Sequence, residues 1–190
     1  MSRFPLPDLN SLPADIQDKI KEVQEKSGFI PNVFLAFARR PDEWRAFFAY
    51  HDALMLRESS SLTKGDREMI ITATSAANQC VYCVVAHGAL LRIYEKKSLV
   101  ADQVAVNYRK ADISPRQTAM LEFALKVNSH SHEVCEDDFV KLNSHGFNNE
   151  DIWDIGAITA FFGLSNRMAN LAGMMPNPEF YLLGRTPRGK

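Results

Sequence analysis

No stretch of this chain approaches the run of about eighteen apolar residues that crossing a bilayer takes, and Met1-Ser2-Arg3-Phe4-Pro5-Leu6-Pro7 has no apolar core of a secretory signal. A membrane span is therefore excluded, and a soluble, cytoplasmic protein is expected. Basic residues form no stripe. The 22 Lys and Arg are dispersed against 23 Asp and Glu, so nucleic acid finds no electrostatic footprint. Cysteine is scarce: three in all, an odd number, with Cys135 far from the other two, which argues against the disulfide scaffold of a small secreted domain. No segment alternates polar and apolar residues with a period of two, so strands are not expected.

What is present is ordinary globular content, 46% hydrophobic and 24% charged, enough for one domain over residues 1–190 with a sizeable core. Residues 1 to 13 are Pro-rich and read as an extended arm free to pack on a neighbour. A helix is expected from Pro13 to Ser27, with Ile16, Ile20 and Val23 on one face and Gly28 ending it. The apolar stretch Val33 to Ala38 reads as a buried core helix, with a pocket wall or subunit contact as the functional alternative. Pro41 opens a helix to about Arg57 that carries His51, a weak pocket candidate. Glu58-Ser59-Ser60-Ser61 is a polar connection.

The centre of the chain follows. Thr63-Lys64-Gly65-Asp66 is a capping-box-like start for a helix through Ala77, and Asn78-Gln79 is the expected break. The apolar run from Val81 to Leu91 makes a second helix, which places Cys80 and Cys83 in its first turn. Unpaired N–H groups and the positive end of the macrodipole favour a thiolate there. Cys83 and His87 are i and i+4 and share a face, so His87 serves Cys83 better than Cys80. In one straight helix Glu68 and Cys80 would lie about 18 Å apart. Folded as an antiparallel hairpin about Asn78-Gln79, the same residues bring Glu68 to His87.

Beyond the hairpin, a short helix to about Tyr108, one from the Ser114-Pro115-Arg116-Gln117 start to about Asn128, and one from His132 to Ser144 closed by Gly146 are expected. His130, His132 and His145 read as loop and cap residues, and Cys135 as a buried small hydrophobe. A helix capped by Asn148 and broken at Gly163 would repeat the motif hairpin at an offset of 85, with Asp66 matched to Asp151, Asn78 to Gly163, Cys80 to Ser165, Cys83 to Met168 and Gly88 to Gly173. The fold expected is all-α, nine or ten short helices with short loops.

The pattern Glu68, eleven residues, Cys80-Val81-Tyr82-Cys83, three residues, His87 joins a nucleophile, its base and an orienter of that base. A thioredoxin-like context is disfavoured because no strand precedes the pair. Zinc is the chemical competitor, with Cys80, Cys83, His87 and either Glu68 or Cys135 as acceptable ligands, although a second CxxC or an HxxxH is missing.

The same spacing closely resembles the signature of the alkylhydroperoxidase AhpD family within the carboxymuconolactone decarboxylase superfamily, matching at Glu68, Cys80, Cys83 and His87. Leu62-Thr63, Asn78 and Ala86-His87-Gly88 extend the likeness, and Phe29-Ile30-Pro31-Asn32-Val33 resembles the peroxidase-related branch. AhpD itself carries a further histidine between the two cysteines, where this chain has Tyr82. The resemblance implies a compact multi-helical domain and a two-cysteine reduction of hydrogen peroxide or alkyl hydroperoxides without haem, flavin or metal. An outside dithiol, lipoyl-type or thioredoxin-like, would reopen the disulfide, and the protein would be a homo-oligomer, trimeric or hexameric. Combined with the helical spacing, this gives Cys83 as the attacking sulfur, Cys80 as the resolving one, His87 as base and Glu68 as its orienter. The alternatives are a non-redox enzyme of the decarboxylase superfamily and a metal-binding or structural module using Cys80, Cys83 and His87.

Overall fold

The computed structural model describes residues 2–58 and 60–185. Met1, Ser59 of the polar connection and residues 186–190 lie outside the described residues. Ten α-helices follow one another: α1 Ala14–Ser27, α2 Asn32–Phe37, α3 Pro41–Met55, α4 Lys64–Ala77, α5 Val81–Glu95, α6 Val100–Asn107, α7 Pro115–His130, α8 Glu136–Ser144, α9 Asn149–Ala172 and α10 Pro178–Leu182. Among the described residues there is no strand, and none of the helices is long and apolar enough to cross a membrane.

The middle of the molecule is α4, buried on every side from Gly65 to Ser75 and packed against α5, α6, α7 and α9. Its start follows from the capping box: Thr63 Oγ1 accepts the Asp66 N–H at 3.0 Å, and the Asp66 carboxylate accepts the Thr63 N–H at 3.1 Å. Its buried threonines are satisfied because they turn their hydroxyls back on the helix. Thr72 donates to Glu68 O and Thr74 to Ile70 O, each at 2.8 Å. The main core gathers Ile70, Ile71, Met120, Leu121, Ile155 and Ile158. A second apolar cluster surrounds Cys80 and Cys83, and a third joins Ile16 and Ile20 of α1 to Trp44 and Phe48 of α3.

Four expectations are corrected. The helix expected from His132 begins at Glu136, because residues 131–133 tighten into a 3-10 turn and the Asp138 carboxylate accepts the Cys135 N–H at 2.9 Å, closing a new start. Cys135 is accordingly exposed at that helix start rather than buried. The helix expected to break at Gly163 runs unbroken to Ala172, so no second hairpin exists. A glycine inside a helix costs only about 1 kcal/mol, and the inner face of α9 buries far more apolar surface than that. What survives of the repeat is its beginning: Asn148 and Asp151 form the same capping box as Thr63 and Asp66. Finally, the stretch Val33 to Phe37 is only half-buried, and Ala36 and Phe37 wall a large apolar cavity.

The N-terminal arm is largely extended, with one 3-10 turn at Leu9–Ser11, and packs back on its own chain. Arg3 N donates to Ala172 O at 2.6 Å, and its guanidinium to Asn170 O and Leu171 O at 3.1 Å each. A cation thus occupies the negative end of α9, where Gly173 at φ 62° turns the chain.

Candidate active site

Two helices and the turn between them place the motif. Asn78 ends α4, and Gln79 rather than Asn78 takes the left-handed conformation, at φ 54°. Cys80 N donates to Ser75 O at 2.9 Å, which folds the chain back, and Cys80 becomes the N-cap of α5. Cys83 is therefore the third residue of that helix. Both cysteines are free, and each is 1% exposed.

The hairpin brings His87 of α5 to Glu68 of α4: Nδ1 donates to Oε2 at 2.7 Å, with the carboxylate buried. This leaves Nε2 as the ring nitrogen that can take or return a proton. Phe162 of α9 meets the imidazole edge to face, centroids 4.7 Å apart, so the ring is held from two sides.

Helical spacing favours Cys83 as the ionised sulfur, whereas the groups around the pair favour Cys80. The pKa of the Cys80 thiol is lowered to about 7, first by the Cys83 thiol beside it and, against the cost of burial, by the Cys83 backbone N–H, the Asn166 amide and the charge of His87. Cys83 is pushed well above its ordinary range by its hydrogen bond to Cys80, by burial and by the Cys80 charge. The two thiols titrate as a pair, and the donors around each sulfur weigh in that balance beside the helical spacing.

Several residues at the sulfurs were not singled out from the sequence. Ser165 Oγ lies 3.9 Å from Cys83 Sγ, and Asn166, fully buried, donates to Ser75 Oγ at 2.9 Å and lowers the pKa of both thiols. A signal existed: Ser165-Asn166 is a polar pair inside the apolar run from Ile155 to Ala172, and Ser165 is the repeat partner of Cys80. Tyr82, which stands between the cysteines, ties two helices together. Its buried phenol oxygen accepts the Val33 N–H at 3.2 Å and ties α5 to α2, and burial raises its pKa.

His51 does not join the sulfurs. Its Nδ1 pairs with Asp52 at 2.9 Å, and its ring stands 6.3 Å from Phe162, the same ring that meets His87. His130 ends α7, His132 lies in a 3-10 turn and His145 ends α8, as loop and cap residues should. Among the described residues no three His, Cys, Asp or Glu side chains are grouped to hold a metal ion, and Cys135 lies outside the cluster around the pair. The cavity, about 750 Å³, is lined by Phe37, Trp44, Phe47, Phe161, Leu164 and Met168 among others. Ala36, Phe37 and Ala172 belong both to its wall and to the apolar cluster around the sulfurs.

Residues 41–126 match the model of the carboxymuconolactone decarboxylase family. No curated protein matches. Among solved structures, the chain is similar to a peroxidase-related protein of Ralstonia eutropha JMP134 described as an alkylhydroperoxidase AhpD core, with 72% identity over 98% of each chain and a TM-score of 0.97. A peroxidase-related protein of Silicibacter sp. TM1040 is 42% identical over 97% of this chain and 96% of its own, with a TM-score of 0.91. A debrominase at 19% identity, covering 95% of each chain with a TM-score of 0.74, shares the fold.

Proposed function

This chain belongs to the carboxymuconolactone decarboxylase family as an AhpD-like, peroxidase-related member, and from that membership we propose that it is a thiol-dependent peroxidase reducing hydrogen peroxide or organic hydroperoxides through Cys80 and Cys83. The observation that carries the proposal is the pair itself: a lowered-pKa thiol at a helix start, a second thiol donating to it, and the Glu68–His87 pair at 2.7 Å beside them.

In the cycle, the Cys80 proton passes to Nε2 of His87, and Glu68 balances the imidazolium. The Cys80 thiolate attacks the terminal oxygen of the peroxide, the O–O bond breaks, and the leaving alkoxide takes the proton back from His87 to depart as the alcohol, or as water from hydrogen peroxide. Cys80 is now a sulfenic acid. The Cys83 sulfur attacks it, losing its own proton to the departing hydroxide, so that water leaves and the Cys80–Cys83 disulfide forms. An external dithiol, lipoyl-type or thioredoxin-like, returns the pair to two thiols and becomes a disulfide itself. A pKa of about 7 leaves half of Cys80 as thiolate at pH 7, against roughly 3% for an ordinary thiol. Ionisation thus supplies only about fifteenfold. The rest of the acceleration must come from donors around the reacting oxygens. The apolar shell around the pair suits an uncharged peroxide. The cycle suits the reducing cytoplasm, in a homo-oligomer of this chain.

The test is a thiol count before and after one equivalent of peroxide, with metal analysis of the same sample. Two thiols should disappear per peroxide, with no stoichiometric metal. Cys83→Ser should react once and stop with Cys80 as a sulfenic acid, and Cys80→Ser should consume almost none. The opposite trapping pattern would hand the attack to Cys83. Unchanged thiols in the unsubstituted protein would end the peroxidase reading.

A further inference from the structure

The amides beside the sulfurs form one connected chain. Asn78 uses both hydrogens of its Nδ2 on carbonyl oxygens, Asn128 Oδ1 at 2.8 Å and Asn166 Oδ1 at 2.9 Å, and accepts Asn128 Nδ2 on its own Oδ1 at 3.0 Å. Asn170 Nδ2 donates to Asn78 O at 3.3 Å and steadies the turn. With Oδ1 of Asn166 engaged by Asn78, its Nδ2 faces the other way, to Ser75 Oγ at 2.9 Å, the residue whose carbonyl accepts the Cys80 N–H, and the amide lowers the pKa of both thiols. A flip of Asn166 alone would oppose two NH₂ groups at Asn78, and a concerted flip of all three amides would aim a carbonyl oxygen at the sulfurs, so the orientation with Nδ2 on their side is the one that suits a thiolate. Because α9 is unbroken at Gly163, Asn166 follows directly on Ser165, itself 3.9 Å from Cys83 Sγ.

We infer that Asn166 is a hydrogen-bond donor built to hold negative charge on the Cys80–Cys83 pair, with Asn78 and Asn128 as positioning residues that fix which way its amide points. The inference deepens the peroxidase reading and rests on it for its purpose, since a held thiolate and a held sulfenate are what that cycle needs. An N–H aimed at a thiolate in a shell of Phe29, Ala169 and Phe180 meets little competition from water. The titratable groups facing the pair are His87, backed by Glu68, and Tyr82, whose phenol is engaged with Val33.

The experiment is a pH titration of thiolate by ultraviolet absorbance on the whole reduced protein in a Cys135→Ser background, run beside peroxide consumption. Asn166→Leu keeps the side-chain volume and removes the donor. The midpoint should rise by about one pH unit, cutting the thiolate present at pH 7 about fivefold. Asn128→Ala, half-buried and remote from the sulfurs, should cut it about twofold with the fold intact, and it decides the matter if Asn166→Leu does not fold. An unmoved midpoint in every variant that folds overturns the inference. A protein that consumes no peroxide yet shows the shifts loses the peroxidase reading and keeps the donor. One that consumes peroxide with unmoved midpoints does the reverse.

Discussion

Glu68 touches the sulfurs only through the ring it holds, which sets what its loss should do. Glu68→Gln keeps a hydrogen-bonding oxygen for Nδ1 but no longer balances an imidazolium, so peroxide reduction should slow by roughly 10- to 100-fold while the fold persists. A rate unchanged between pH 6 and 8 would discard the relay. Cys83 makes a sharper case, because it is the largest influence on its neighbour's ionisation. With Cys80 lowered to about 7, the rate of the first turnover should rise with pH through 7 and level off above it, the thiolate being lost as pH falls. Cys83→Ala removes the main donor, so that midpoint should move upward toward the ordinary thiol range of about 8.5. Cys83→Ser, which keeps a hydroxyl donor, should move it less. Single-turnover rates across pH 5.5 to 9 decide it, and equal midpoints in both variants would mean that the donation from Cys83 is unimportant.

At the scale of elements, the α4–α5 hairpin was legible because each of its parts has a local cause. The capping box at Thr63 and Asp66, the lack of Gly or Pro through Ala77 and the apolar run after Cys80 all act within a few residues, and they bring Glu68 to His87. The failures came where distant packing decides. Gly163 is a breaker by local preference, but α9 is held straight by what its inner face buries. Asn166 becomes a sulfur partner only through tertiary contact, and the exposure of Cys135 follows from a helix start set by Asp138. The turn itself gives a prediction. Gln79 is exposed and left-handed at φ 54°, a conformation that costs an L-residue with a side chain about 1–2 kcal/mol. Gln79→Gly relieves that cost at some loss in chain entropy, so stability should rise by about 0.5–1 kcal/mol, or roughly 1–4 °C in melting temperature. A lower melting temperature would show that the Gln79 side chain holds the turn in a way its exposure conceals.

For the molecule as a whole, α9 divides the problem in two. Phe162, Ser165, Asn166 and Ala169 face inward to the sulfurs and are buried, whereas Trp153, Ala160, Leu164 and Leu171 recur at helical spacing on the opposite side. Trp153 is 72% exposed, Leu164 53% and Leu171 55%, and the stripe continues into the apolar cavity beside α3. Monomers seldom leave so continuous an apolar face in water. A stable contact needs only about 800 Å² from each partner, which a helix of 24 residues together with the cavity rim can offer. The occupant that fits is a second copy of this chain, since the face is apolar along its length and a symmetric contact lets the same stripe serve on both sides. The protein should therefore elute as a multimer. Its size should not change when Cys80 and Cys83 are oxidised, because the disulfide closes within the first turn of α5, on the other side of α9. Leu164→Glu should convert the multimer to monomer at micromolar concentration without disturbing the Glu68–His87 pair behind it. Light scattering on both forms reads the outcome, and an unsubstituted protein that is already monomeric at that concentration would leave the outer face of α9 without its partner and refute the assembly.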